Sequence, residues 1–241
     1  MRSCMFTSDA NQCFWRDMYL VFCGFFLIFI LGLEYTYGSN NEPDANALID
    51  SIQSNYDRTH ALTAEFVQVA TLTSIDRRQT SAGHLFIEKP YHIRWEYTQP
   101  DSQTILYDGK LLRIYTPRRQ QVLQSKIDED NRSNVALLFL AGVGKLREAF
   151  TITLLSSTEA GMKRLRLLPL SPQASFTELH IAVNAANYFI EQLTIYDTIG
   201  NITEIRLKAL ATHSALPTQT FELVLPPHTE VLTPTDFSGP K

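Results

Sequence analysis

The stretch HIRWEYTQPDSQTILYDGKLLRIYT, residues 92–116, decides the fold class of this chain of 241 residues. In its first part Ile93, Trp95 and Tyr97 alternate with charged residues, which is the pattern of a β-strand with one buried face. Further along, the pair Asp108-Gly109 separates two apolar runs, and such a pair is the strongest short-range signal for a tight hairpin. The stretch therefore predicts consecutive antiparallel strands.

Strand-like runs continue on both sides of this stretch at short intervals. About twelve strands are predicted, at Leu62–Val69, Gly83–Glu88, His92–Thr98, Thr104–Tyr107, Leu111–Tyr115, Gln121–Ser125, Thr151–Leu155, Lys163–Leu168, Thr177–Val183, Tyr188–Tyr196, Ile202–Leu210 and Thr220–Leu225. Connections this short favour antiparallel order, because parallel strands need long crossovers. Apolar residues at helical spacing predict a first helix at Glu42–Thr59, and the apolar run VALLFLAG within Arg132–Phe150 predicts a short helical segment.

These elements predict a mainly β fold with a few helices. A sheet of this size buries its apolar face well as an open, incomplete antiparallel β-barrel whose apolar cavity is covered by short lid helices. No linker or repeat divides residues 39–241, so we expect them to form a single domain. An ordinary core without a cavity is the alternative that the composition leaves open.

The three cysteines mark a distinct leader. Cys4, Cys13 and Cys23 all precede or lie within the start of an apolar region, Met18–Leu33, that contains no charged residue. We interpret residues 1–38 as a signal peptide for Sec-type export, or as an uncleaved anchor, and predict that the following domain lies in a bacterial periplasm. Because residues 39–241 contain no cysteine, disulfide scaffolds and cysteine nucleophiles are excluded there.

Composition and motifs favour binding over catalysis. A net charge of -4 and a pI near 5.9 exclude the basic surface that a nucleic-acid-binding protein needs. The six histidines lack metal-ligand spacing, no Gly-x-Ser-x-Gly motif is present, and Gly142–Lys145 departs from the phosphate-loop pattern. We predict no enzyme activity, no metal and no cofactor; a hydrolase with an unrecognised serine or carboxylate is the alternative from another class.

Several short motifs are more specific. Gly83, Leu85, Lys89 and Pro90 form G-x-L-x-x-x-K-P, Trp95, Gln99 and Pro100 form W-x-x-x-Q-P, and Asp108-Gly109-Lys110 follows. Together with the segments LTAEFVQ, VALLFLAG and PPHTEV, these motifs resemble the LolA family of periplasmic outer-membrane lipoprotein carriers. The resemblance covers nearly all of residues 39–241 and is loose after Ala141.

The resemblance implies a function and a set of partners. Such a carrier accepts acylated lipoproteins, or another lipid, from an inner-membrane ABC exporter complex. It shields their acyl chains in its cavity and delivers them to the outer-membrane receptor LolB. We expect this protein to act as a monomer. A lipid-sensing or receptor-type module of the same fold, similar to LolB or to the RseB sensor, is the alternative within binding proteins.

Apolar positions on the concave face and the lid are the candidate site. The predicted ligand-binding residues are Phe66, Leu85, Ile87, Ile93, Trp95, Tyr97, Leu112, Ile114, Leu137 and Phe139. The resemblance implies that Ile93 contacts cargo, so we expect a glutamate there to impair transfer and leave the fold intact. It also implies that Lys89 replaces an arginine that latches the sheet to backbone carbonyls of a lid helix. A lysine lacks the planar fork of arginine, so we expect a weaker latch.

Overall fold

The computed structural model describes residues 42–127, 146–172 and 175–233. The chain divides into a unit of residues 1–40 and a unit of residues 41–241, and every described residue belongs to the second. The predicted signal peptide, the lid run VALLFLAG and the candidate residues Leu137 and Phe139 lie outside the described residues. Within the described ranges, no helix is long and apolar enough to cross a membrane.

Twelve strands form one sheet. They are β1 Ala61–Leu72, β2 Arg77–Glu88, β3 His92–Gln99, β4 Gln103–Asp108, β5 Leu111–Thr116, β6 Gln121–Lys126, β7 Phe150–Leu155, β8 Met162–Pro169, β9 Glu178–Asn184, β10 Ile190–Tyr196, β11 Ile202–His213 and β12 Glu230–Leu232. Their spatial order is β12-β6-β5-β4-β3-β2-β1-β11-β10-β9-β8-β7. Because β12 and β7 are the two edges, the described sheet is open, in agreement with the predicted open, barrel-like fold.

Eleven of the predicted strands are present, and the twelfth prediction is wrong. Residues 220–225 do not form a strand: a 3-10 helix occupies Thr218–Phe221, and the last strand is β12. Proline residues at 217, 226 and 227 flank this segment, and proline cannot donate to a strand ladder. β12 pairs with β6 in parallel, whereas every other pairing in the described sheet is antiparallel, as expected.

The two faces of the sheet are covered by different parts of the chain. We call the face that carries Trp95 the inner face and the face that carries Arg94 the outer face. Residues after β11 cross the outer face, where Leu216 N donates to Glu88 Oε1 at 2.9 Å. Arg94 donates to the carbonyl oxygens of Thr220 at 3.3 Å and Glu222 at 3.1 Å. These polar contacts, together with the ring contact between His92 and Phe221, join the outer face to residues 216–222.

The predicted first helix is confirmed and covers part of the inner face. Helix α1 spans Glu42–Arg58, and a second helix, α2, spans only Leu146–Ala149. Leu48, Ile49 and Ile52 of α1 are buried in the same apolar cluster as Trp95, because their spacing places them on one side of the helix. Tyr56 also lies in this cluster, its hydroxyl accepts from Ile190 N at 3.3 Å, and burial raises its pKa to about 12.

The first glycine of the G-x-L motif allows β2 and β3 to approach each other closely. A Cβ on Gly83 would overlap the carbonyl oxygen of Glu96, and a β-bulge separates Ala82 from Gly83. Gly83 is opposite Phe66 on one side and Tyr97 on the other. The rings of Phe66 and Tyr97 lie 5.0 Å apart in an edge-to-face arrangement. A glycine at this position is therefore required by packing.

Candidate ligand-binding face of the sheet

Strand register places the candidate residues side by side. Ile93 is opposite Ile87, and Trp95 is opposite Leu85. Residues directly opposite each other in an antiparallel pair point to the same face, and side chains two residues apart on one strand also share a face. The register through β4 to β5 places Leu112 and Ile114 on the same face as Trp95, and the register into β1 places Phe66 there too. All eight described candidates therefore lie on the inner face.

Five of these candidates are part of a closed core. Leu85 and Trp95 are 0% exposed, and Phe66 is 1% exposed. Ile87 and Ile93 are 5% exposed. The ring centroid of Phe66 lies 4.5 Å from that of Trp95, within the range of favourable aromatic contacts. A ligand that reaches these residues must displace contacts that the protein already makes.

The burial of Ile93 corrects one expectation. A glutamate at this position would place a carboxylate among buried apolar side chains, which is costly without a partner. We therefore expect Ile93→Glu to destabilise the fold, contrary to the expectation from the sequence. The substitution cannot separate a cargo-binding role of Ile93 from its packing role.

The inner face is only partly covered over β4, β5 and β6. Leu112 and Ile114 are partly exposed, and so are their neighbours Ile105 and Leu123. Ile105 is opposite Ile114, which is opposite Leu123, so these side chains form a continuous row that extends the row of Trp95. This partly exposed apolar row is the candidate binding surface that the structure leaves accessible to a ligand.

Lys89 contacts the helix that covers the buried part of the inner face. Its Nζ donates to the carbonyl oxygen of Tyr56 in the last turn of α1, and its backbone N donates to His60 O at 2.9 Å. Burial lowers the pKa of the Lys89 ammonium group, and the nearby carboxylate of Asp57 opposes this shift. The contact joins the sheet to a helix through one backbone carbonyl. The predicted lid segment lies outside the described residues, so its relation to Lys89 stays a prediction.

A polar pocket of about 560 Å³ lies at one end of the inner face, and sequence reasoning missed it. Its lining consists of Gln68, Gln79, Ser81, Tyr97, Gln99, Pro100, Asp101, Ser102, Gln103, Thr116, Arg118 and Arg119. Tyr97 Oη donates to Gln68 Oε1 at 2.9 Å, and burial raises the pKa of Tyr97 to about 12. Polar residues that continue the two-residue alternation of apolar ones were the available signal.

Arg166, Glu178 and His180 form a charged cluster on the outer face of β8 and β9. Arg166 donates to both carboxylate oxygens of Glu178, at 2.7 and 2.8 Å, and Glu178 also lies 2.5 Å from His180 Nε2. The hydrogen bonds from Arg166 are the main reason that the pKa of Glu178 is lowered. In the described part of the chain, no group of three histidine, cysteine, aspartate or glutamate residues is placed to hold a metal ion.

Known proteins are similar to this chain in sequence. The family model described as "Outer membrane lipoprotein carrier protein LolA" matches residues 57–224. The outer-membrane lipoprotein carrier protein of Dechloromonas aromatica is 27% identical over 184 residues, which cover 76% of this chain and 86% of that protein. The protein of the same name from Methylococcus capsulatus is 29% identical over 180 residues, covering 75% and 85%.

A solved structure shares the fold of this chain. An uncharacterised conserved protein from Thermus thermophilus aligns with a TM-score of 0.51 at 11% sequence identity, covering 79% of this chain and 99% of that one. The family match extends over well more than half of the chain, including the motifs from Gly83 to Asp108. The chain belongs to the LolA family of outer membrane lipoprotein carrier proteins.

Proposed function

We propose that this protein is a periplasmic carrier that shields the acyl chains of lipoproteins on the inner face of its sheet. It receives them from an inner-membrane ABC exporter complex and delivers them to the outer-membrane receptor LolB, after its own Sec-type export. Membership of the LolA family and the names of the curated relatives support this proposal. The carrier acts without chemical conversion of its cargo.

The observation that carries the proposal is the partly exposed apolar row of Ile105, Ile114 and Leu123. These residues share a face with the buried cluster around Trp95, yet water reaches them. Transferring a methylene group from water to an apolar site is worth about 0.8 kcal/mol. Shielding even half of a palmitoyl chain on this row would therefore contribute on the order of 5 kcal/mol.

Release of the cargo requires a competing interaction. The buried part of the inner face is filled by α1, whose Ile52 and Tyr56 contact the core. An acyl chain that extends beyond the exposed row must displace this helix, so the protein's own contacts lower the net binding energy. Lys89 holds the last turn of α1 through the Tyr56 carbonyl and forms the latch of this proposal. Because lysine has no planar fork, the latch is weaker than an arginine would make it.

The first test is the identity of the molecule that the protein carries. The protein is purified from periplasm without detergent, and its bound molecules are identified by mass spectrometry. We expect acylated proteins or peptides. Recovery of lipid alone would favour the lipid-sensing or receptor-type alternative, and turnover of small esters by the purified protein would favour a hydrolase.

A matched pair of variants tests the surface. Leu123 and Gln124 are neighbours on β6, both are partly exposed, and they lie on opposite faces. Leu123→Glu puts a carboxylate into the apolar row, so we expect the amount of bound acylated protein to fall about tenfold or more. Gln124→Glu is the control and should leave it unchanged. Equal loading of both variants would contradict the assignment of the inner face.

A further inference from the structure

The inner face changes from apolar to polar at one end of the sheet. Moving two residues along a strand keeps a side chain on the same face, and three such steps show the change. They lead from Phe66 to Gln68 on β1, from Ile105 to Gln103 on β4 and from Ile114 to Thr116 on β5. The polar pocket described above thus directly adjoins the apolar row, and one ligand can contact both.

The lining of this pocket is rich in groups that both donate and accept hydrogen bonds. Four side-chain amides and three hydroxyl groups of serine and threonine line it, together with the phenol of Tyr97. Some of these groups satisfy one another: Gln103 Nε2 donates to Thr116 Oγ1 at 3.3 Å. In the described part of the chain, the side chains of Gln79, Gln99 and Arg119 make no hydrogen bond or ion pair. These three side chains are available to a ligand.

The charges of the pocket favour a ligand with a negative group. The lining carries the guanidinium groups of Arg118 and Arg119 and one carboxylate, that of Asp101. Arg118 lies 3.5 Å from Asp101, so these two charges offset each other. Arg119 remains as the unbalanced charge, and guanidinium groups bind carboxylates well. The pocket has a volume of about 560 Å³, which is within the usual range for small-ligand sites.

The neutral groups decide which class of ligand fits best. A side-chain amide can donate to a peptide carbonyl and accept from a peptide N–H, so several amides along one groove match a polypeptide main chain. The phosphate group of a phospholipid only accepts hydrogen bonds, and clusters of arginines bind it best. This pocket has a single arginine without an ion-pair partner, Arg119. The lining therefore favours a peptide with a carboxylate over a phospholipid headgroup.

We propose that the polar pocket binds the polypeptide segment next to the acylated end of the cargo, with Arg119 contacting an acidic residue of that segment. This inference rests on the proposed function, because it assumes that the acyl chains lie on the adjoining apolar row. The pocket makes the protein a carrier of acylated polypeptides rather than of free lipid. It adds affinity for the peptide part and holds the cargo in one orientation.

The test compares probes that share an acyl chain and differ in their polar part. The purified protein is loaded with a dansyl-labelled fatty acid, and displacement is measured with four competitors. These are palmitic acid, lysophosphatidylglycerol, an N-palmitoylated pentapeptide with one aspartate, and the same acyl peptide with asparagine in its place. We expect the aspartate peptide to bind about tenfold more tightly than palmitic acid and the asparagine peptide to fall between them.

Two charge-reversing variants separate the pocket from general electrostatics. Arg119→Glu should weaken the binding of the aspartate peptide about tenfold and change the binding of the asparagine peptide much less, since asparagine has no carboxylate for Arg119 to contact. Arg206→Glu is the matched control, because Arg206 is also exposed but lies on the outer face of β11, opposite Val67. Arg206→Glu should leave the affinities of all four competitors unchanged.

The other outcomes contradict either the peptide pocket or the carrier function. If palmitic acid and both peptides bind equally, or if Arg119→Glu has no effect on the aspartate peptide, the peptide pocket is wrong and the carrier function stands. If lysophosphatidylglycerol is the tightest competitor and is the one weakened by Arg119→Glu, the pocket binds a headgroup instead. If the wild-type protein binds neither the fatty acid nor any competitor, the proposed function itself fails.

Discussion

The inner face of the sheet includes two neighbouring regions, over β1–β3 and over β4–β6, that share one strand register but differ in how far their side chains are covered. Over β1, β2 and β3 the side chains of Phe66, Leu85 and Trp95 are at most 1% exposed beneath the apolar cluster. Over β4, β5 and β6 the row of Ile105, Ile114 and Leu123 continues on the same face but is partly exposed. The first region stabilises the fold, and the second leaves apolar surface that a ligand can cover.

The largest expected effect is on the free energy of unfolding, when a residue of the buried region is truncated and compared with one of the partly exposed region. Trp95→Ala should lower the free energy of unfolding by about 3–5 kcal/mol, because it leaves a large cavity in the closed core. Ile114→Ala should cost about 1 kcal/mol or less, since water already reaches this side chain. Urea denaturation of both variants measures the difference. Similar losses at the two positions would remove the distinction between the regions.

The next effect concerns the close approach of β2 and β3 in the buried region. Gly83→Ala should destabilise the protein by about 3 kcal/mol, because the methyl group would overlap the carbonyl oxygen of Glu96. Gly161→Ala is the control: this glycine has a φ of 78° but open space around its Cβ position. It should cost about 1 kcal/mol, the strain of the left-handed conformation. Thermal unfolding that ranks Gly161→Ala as the worse variant would show that packing at Gly83 is misjudged.

A smaller effect is expected at Lys89, which joins α1 to the sheet. Lys89→Met removes the hydrogen bond to the Tyr56 carbonyl, which is worth about 1 kcal/mol, so amide hydrogen exchange in the last turn of α1 should quicken about fivefold. Lys89→Arg keeps a donor and should preserve or improve the protection. Unchanged exchange in Lys89→Met would mean that the contact does not hold the helix.

The smallest effect is expected on the outer face of β9, whose inner-face residues Leu179 and Ile181 belong to the same apolar cluster as Trp95. Because Arg166 lowers the pKa of Glu178 below its ordinary value of 4.5, Glu178 stabilises the folded state above that pH. This contribution is lost as the pH falls through the lowered pKa of the folded state. The melting temperature of wild type should therefore exceed that of Glu178→Gln at pH 7, and the gap should narrow toward pH 3. A gap that is constant with pH would exclude this charge as its cause.

Most of the fold follows from patterns visible in the sequence. The two-residue alternation around Trp95 and the Asp108-Gly109 pair predict the central strands, because both signals act between neighbours along the chain. The segment at residues 220–225 has the composition of a strand, yet its carbonyls accept from Arg94 across the outer face. Such a contact between distant residues cannot be read from local periodicity.

The candidate site was predictable only in part. Alternation placed Trp95, Leu112 and Ile114 on one face, since strand geometry fixes which side chains share a face. The degree of burial of Ile93 was not visible, because it depends on how α1 packs over the sheet. The polar pocket was also missed, because its residues come from five strands, from the loop of residues 100–102 and from the turn at Pro117–Arg119.

Cargo that lies on the partly exposed apolar row must contact the side chains of that row. The most direct measurement is photo-crosslinking in cells that produce lipoproteins. Benzoylphenylalanine is introduced at position 114 in one variant and at position 124 in another, in place of Ile114 and Gln124. These positions lie on adjacent strands but on opposite faces of the sheet. We predict crosslinks to acylated protein from position 114 and none from position 124. Crosslinks from position 124 alone, or none from position 114 in protein that carries cargo, would contradict this prediction.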